Sequence, residues 1–191
     1  MDASQSGAEA PRDAELLALA RDAIARSLAG EAPVLPVGDA PEPHGGVFVT
    51  LWGPGHRLRG CIGHITSIEP TVAAEVAACA VASATSDPRF PVLDPDELDA
   101  VAIELSILGP LQVVEGVAEL DPRRFGIVVT QGSRRGVLLP GVDGVDTVEV
   151  QLAIAAQKGR VDLERPYRIE RFAARKVHEP AAGEAAQGLR A

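Results

Sequence analysis

The chain has 191 residues and a formal net charge of −9, with 46% hydrophobic and only 3% aromatic residues. The apolar content is that of a folded protein, and its core must be built from Val, Ile, Leu and Ala. The acidic balance argues against nucleic acid as a partner, because backbone phosphates require a basic excess.

No run reaches the ~20 strongly apolar residues of a membrane helix; the nearest, Val72 to Thr85, is mostly alanine and contains Glu75. Met1-Asp2-Ala3-Ser4 shows neither the basic nor the apolar region of a signal peptide, so a cytoplasmic location is expected. Two cysteines, Cys61 and Cys79, make no disulfide framework and read as reduced thiols.

Residues 1–11 and 180–191 are small and polar and are expected to be disordered tails around a domain over 12–179. Leu16, Ala20, Ile24 and Leu28 fall on one stripe, predicting a helix over Asp13 to Ala29, stopped by Gly30. Residues 31–46 are rich in proline and glycine and read as a loop. Val47 to Trp52 and Arg57 to Ile62 flank Gly53-Pro54-Gly55 and predict a hairpin.

Ser67 to Ser86 reads as a helix with Val72, Val76, Cys79 and Ser83 on its inner face, ended by Asp87-Pro88-Arg89-Phe90-Pro91. A short helical turn is expected at Asp94 to Leu98. Val101 to Leu108 alternates as a strand, with Glu104 and Ser106 on its less apolar face. A second hairpin is expected from Gly126–Thr130 and Val137–Pro140, then a helix from Thr147 to Lys158 and a final strand from Tyr167 to His178. Hairpin-paired strands with inserted helices indicate an α+β fold with mainly antiparallel sheet and flanking helices.

Leu58-Arg59-Gly60-Cys61-Ile62-Gly63 draws attention chemically. His56, Arg57, Arg59 and His64 surround one thiol with cationic groups in an acidic protein, which would favour the thiolate. Arg59 and Cys61, two apart on a strand, are expected to share a face. Gly60 and Gly63 would allow a ligand or another chain to approach the backbone closely, or would mark a bulge. Cys61 is therefore the candidate nucleophile, and a buried structural cysteine is the alternative. Glu104 is a candidate proton carrier or a partner for Arg59 or Arg89; the alternative is a solvent-facing carboxylate. Cys61 and His64 have the spacing of half a zinc site, but no second half is evident, so no metal is expected. Neither a P-loop nor a Gly-x-Gly-x-x-Gly element is present, and no cofactor is expected.

The ordered set of motifs resembles the AMMECR domain family, known in bacteria as AmmeMemoRadiSam system protein A. It comprises Gly46 to Leu51, the Leu58–Gly63 signature, Asp87-Pro88-Arg89-Phe90, Ile103 to Leu108, Gly136-Val137-Leu138-Leu139-Pro140 and the helix with Glu149, Gln151 and Leu152. His64 departs from the small or hydroxylated residue more often seen there. The resemblance implies a two-lobed single domain with the signature near an inter-lobe cleft. Arg59, Gly60, Gly63, His64, Asp87 and Arg89 are the candidate binding residues beside Cys61, and the cationic groups there suit a small anionic ligand. The resemblance implies no particular reaction. Bacterial relatives are associated with a Memo-like protein and a radical SAM protein, which makes those proteins the expected partners. A non-catalytic scaffold docking one of them is the competing expectation.

Overall fold

The computed structural model describes residues 6–35 and 44–179. Its order is α1 (Ser6–Leu28), β1 (Val47–Gly53), β2 (Arg57–Gly63), α2 (Val72–Thr85), a 3-10 turn (Pro95–Ala100) and β3 (Ala102–Leu108). There follow β4 (Gln112–Val113), a shorter 3-10 turn (Val117–Glu119), β5 (Gly126–Gln131), β6 (Arg134–Leu138), α3 (Val148–Gly159), β7 (Arg168–Phe172) and β8 (Ala174–His178). The α+β class is as expected. The strands form two sheets, ordered β2-β1-β3-β8 and β4-β7-β5-β6. The chain divides into two compact units, Met1–Ile107 with Lys176–Ala191, and Leu108–Arg175.

In the first unit, Leu16, Ala20 and Ile24 of α1 meet Val72, Val76, Cys79 and Ala80 of α2 in one core. Val47, Val49 and Leu51 of β1 join it, with Val101, Ile103, Leu105 and Ile107 from the β3 segment. The period-2 alternation thus gives one sheet face to the helices. Phe48, Thr50 and Trp52 alternate with these β1 core residues and face the other way.

Several boundaries differ from expectation. α1 starts at Ser6, inside the segment read as a tail, because Ala8, Glu9 and Ala10 are good helix formers and continue it. Residues 1–5 and 180–191, and 36–43 of the proline-rich loop, lie outside the described residues. α2 starts at Val72 rather than Ser67: Thr71 is the N-cap, and its hydroxyl accepts the Ala74 N–H. The expected final strand is two strands interrupted at Ala173, with Phe172 ending a strand of one sheet and Ala174 opening a strand of the other.

In the second unit, α3 covers a sheet of four strands around a core that includes Ile127, Val129, Leu138, Leu152, Ala155 and Ile169. The second hairpin is tighter than expected. Gln131 pairs with Arg134, leaving a two-residue turn whose Gly132 has φ +59°.

Candidate functional site

The signature occupies β2, which pairs with β1 in antiparallel register. Gly53 faces Arg57 and Trp52 faces Leu58, but Leu51 faces Gly60, so Arg59 is an extra residue without a Cα partner. This bulge shifts the rest of β2 by one residue. Cys61 therefore stands opposite Thr50, on the face turned away from the α1/α2 core.

The Cys61 thiol is half-buried and free. Thr50 Oγ1 donates to its sulfur at 3.4 Å. Thr50 also faces Glu104 on β3, so Cys61, Thr50 and Glu104 form one row across three strands. Strand spacing puts the outer two backbones about 10 Å apart. Thr50, which sequence reasoning missed, is the central member.

The backbone of Cys61 is held from the outer edge of β2. Asp87 Oδ2 accepts the Cys61 N–H at 2.8 Å, and Arg89 Nη2 donates to the Cys61 carbonyl at 3.1 Å. Arg89 also grips Asp87 through Nε at 2.9 Å and Nη2 at 2.7 Å. Asp87 is 5% exposed. The Arg89 guanidinium, helped by the Cys61 and Arg89 amides, holds the Asp87 carboxyl far below its ordinary range against the cost of burial. The segment read as a helix-ending turn thus supplies an acceptor and a donor to one residue, as a neighbouring strand would. Ser83 adds a third hold: its Oγ accepts the Ile62 N–H at 2.9 Å and donates to the Val49 carbonyl at 2.8 Å.

Three of the four cationic groups predicted around the thiol, Arg59, His56 and His64, are engaged elsewhere. Arg59 meets Glu97 through Nε at 3.2 Å and Nη2 at 2.8 Å, and Nη1 donates to the Pro91 carbonyl at 3.0 Å. Its side chain is 15% exposed. Arg59 pairs with Glu97, and Arg89 with Asp87, so neither makes the pairing to Glu104 considered from sequence. The ring of His56 stacks on Trp52 with centroids 4.2 Å apart. His64 is three residues from Cys61, an odd step that sends the two side chains to opposite faces. Its Nδ1 meets the fully buried Glu75 at 2.8 Å.

The two signature glycines are approached by the chain itself. A Cβ on Gly60 would lie 2.2 Å from the carbonyl oxygen of Ser83, so the last turn of α2 rests on the bare backbone of β2. A Cβ on Gly63 would lie 2.3 Å from the Val47 oxygen of β1. Cys79 is fully buried, and burial, reinforced by Glu75 and Glu69, pushes its thiol up to about 12. Cys61 is the less buried of the two thiols.

The AMMECR1 family model matches residues 17–177, which include all of these side chains. The chain belongs to the AMMECR1 family. A Thermotoga maritima protein is 48% identical over 116 residues, 61% of this chain and 67% of its own length. Protein CA_C1420 of Clostridium acetobutylicum is 40% identical over 127 residues, but the match spans only 27% of that protein. The crystal structure of uncharacterized protein PH0010 from Pyrococcus horikoshii superposes with a TM-score of 0.77 at 32% identity. The superposition covers 87% of this chain and 91% of that one. In this AMMECR1 chain, among the described residues, no helix is long and apolar enough to cross a membrane.

Proposed function

We propose that this AMMECR1-family protein is a small-molecule enzyme, or a component of one, with Cys61 as its nucleophile. The observation that carries the reading is the row Cys61–Thr50–Glu104, with a hydroxyl donating to the thiol sulfur at 3.4 Å. The hydroxyl is aimed at the atom that would act as the nucleophile. The thiol proton passes through solvent to Glu104, the thiolate adds to a carbonyl carbon of the substrate, the C=O π pair moves onto the carbonyl oxygen, and that oxygen takes the proton back from Glu104. Arg89, whose side chain is 53% exposed, is the cation at the Cys61 backbone and serves an anionic group of the substrate. Arg59 holds the loop at Pro91 and Val92 in place beside the strand. The resemblance to AmmeMemoRadiSam proteins supports a reading in which the activity belongs to a pathway shared with a Memo-like and a radical SAM protein.

The test is alkylation by iodoacetamide at neutral pH, followed by mass spectrometry of the cysteine peptides. Cys61 is expected to react faster than a free thiol such as glutathione, and Cys79 only after denaturant is added. Glu104→Gln should slow the Cys61 reaction while changing stability by less than about 0.5 kcal/mol, as for a residue away from the core. A Cys61 that reacts no faster than glutathione, or not before Cys79, removes the nucleophile reading.

A second reading is docking of a Memo-like or radical SAM partner without catalysis by this chain. It is favoured by the Clostridium relative, in which the matched region is 27% of a longer polypeptide and so is joined to further protein. Co-elution with either partner that survives Cys61→Ser would support it.

A further inference from the structure

A second cluster lies on the opposite side of β2 from the thiol row. Glu75 and Cys79 are four residues apart on α2 and project from one face of the helix. His64 follows directly on β2, brought against α2 by the close packing of Gly63 on β1. The His64 Nδ1, a Glu75 carboxylate oxygen and the Cys79 sulfur all lie within 4.8 Å of one another. Glu75 and Cys79 are fully buried, whereas the His64 side chain is 41% exposed.

We propose that His64, Glu75 and Cys79 form a binding site for a borderline divalent cation, zinc or ferrous iron, with a fourth position open on the His64 side. Imidazole, carboxylate and thiolate together are the donor set such ions prefer. Two of the ligands are anions and offset the charge of the ion. Bonds of about 2.0–2.3 Å in a tetrahedron separate nitrogen from sulfur by about 3.5 Å. The His64 Nδ1 to Cys79 Sγ distance is 3.7 Å. The Nδ1 to Glu75 Oε1 distance of 2.8 Å must open by about 0.5 Å, because the ion replaces that hydrogen bond.

The second carboxylate oxygen of Glu75 is already oriented. It accepts the N–H groups of Ile68 at 2.9 Å and Glu69 at 2.7 Å, the kind of outer support that metal-ligating carboxylates carry. Cys79 donates to the Val47 carbonyl at 3.5 Å; on binding, that thiol proton leaves to solvent and sulfur bonds the ion instead. His64 binds as neutral imidazole through Nδ1, with its remaining proton on Nε2. The exposed ring provides the route by which the ion enters a site whose other two ligands are sealed.

The probe is Co2+ added to the full chain, because a cobalt–thiolate bond absorbs in the near ultraviolet. Native protein is expected to show this band at one equivalent, and His64→Ala to weaken Co2+ binding at least tenfold. The decisive variant is Cys61→Ser. The sequence holds two cysteines, so any thiolate band in that variant comes from Cys79, and no folded Cys79 variant is needed. Retention of the band in Cys61→Ser supports the site. Absence of a band from native protein, its loss in Cys61→Ser, or unchanged affinity in His64→Ala would overturn it.

Discussion

The Thr50 hydroxyl stands across β1 and β2 from Cys61 and donates to its sulfur over 3.4 Å. Both side chains belong to a directly opposed pair, and the outward backbone groups of Cys61 are taken by Asp87 and Arg89. Cys61 and Thr50 therefore occupy the narrow, non-hydrogen-bonded kind of pair, where side chains lie closest. The hydroxyl owes its aim to the sheet register and not to a mobile loop.

Thr50→Val keeps the shape and deletes the donor. A hydrogen bond to a charged acceptor contributes about 1.5 kcal/mol. Losing it should slow the alkylation of Cys61 at pH 7 about tenfold, the factor that corresponds to that energy. Measured rates of Thr50→Val and native protein that coincide would show that the contact does not reach the thiol chemistry.

Asp87→Asn tests the clamp on Cys61. The buried carboxylate accepts from the Cys61 amide and from the Arg89 amide and guanidinium. Weakening these bonds should cost about 2 kcal/mol at neutral pH. The carboxyl of Asp87 is held below its ordinary range when folded. Its contribution is thus complete above the unfolded value near ~3.9 and is lost as pH falls below it. Urea unfolding of the two proteins should differ at pH 7, and the gap should narrow progressively below about pH 4. A gap that stays constant down to pH 2 would contradict the depressed carboxyl.

Gly60→Ala should destabilise the first unit by about 1–3 kcal/mol, because the new methyl would meet backbone and not a flexible side-chain tip. If the glycine instead kept space for a ligand, thermal melting of the variant would be unchanged and only binding would suffer. The same comparison at Gly55, which has no neighbour within 4 Å but a φ of +71°, separates backbone strain from crowding.

Much of the first unit is legible in the sequence. The stripe on α1 and the alternation of β3 both place their apolar residues in one core, as read. The thiol site was harder to read, and the bulge at Arg59 is the reason. Counting back from the turn without it, Cys61 would face Val49 and point into the core. One unpaired residue reverses the facing of everything after it. The same bulge leaves Arg59 outside the pairing that sets the face of its neighbours. His64 could have been separated from Cys61 by parity alone. Its meeting with Glu75 and Cys79 depends on how α2 packs on β2, which local pattern does not encode. The small β4 and the break at Ala173 were likewise invisible, since both are set by pairing with distant strands.

The hold of Asp87 and Arg89 on Cys61 has a consequence for how this protein behaves among its own copies. β2 is one of the two outer strands of its sheet, and a bare outer strand invites another chain to add on and propagate into aggregates. Here the donor and acceptor that Cys61 would offer an incoming strand are already occupied by a two-residue plug. The plug does this without covering the thiol, which lies on the sheet face. Variants that weaken it should therefore raise the tendency to self-associate at high concentration, even where the monomer stays folded.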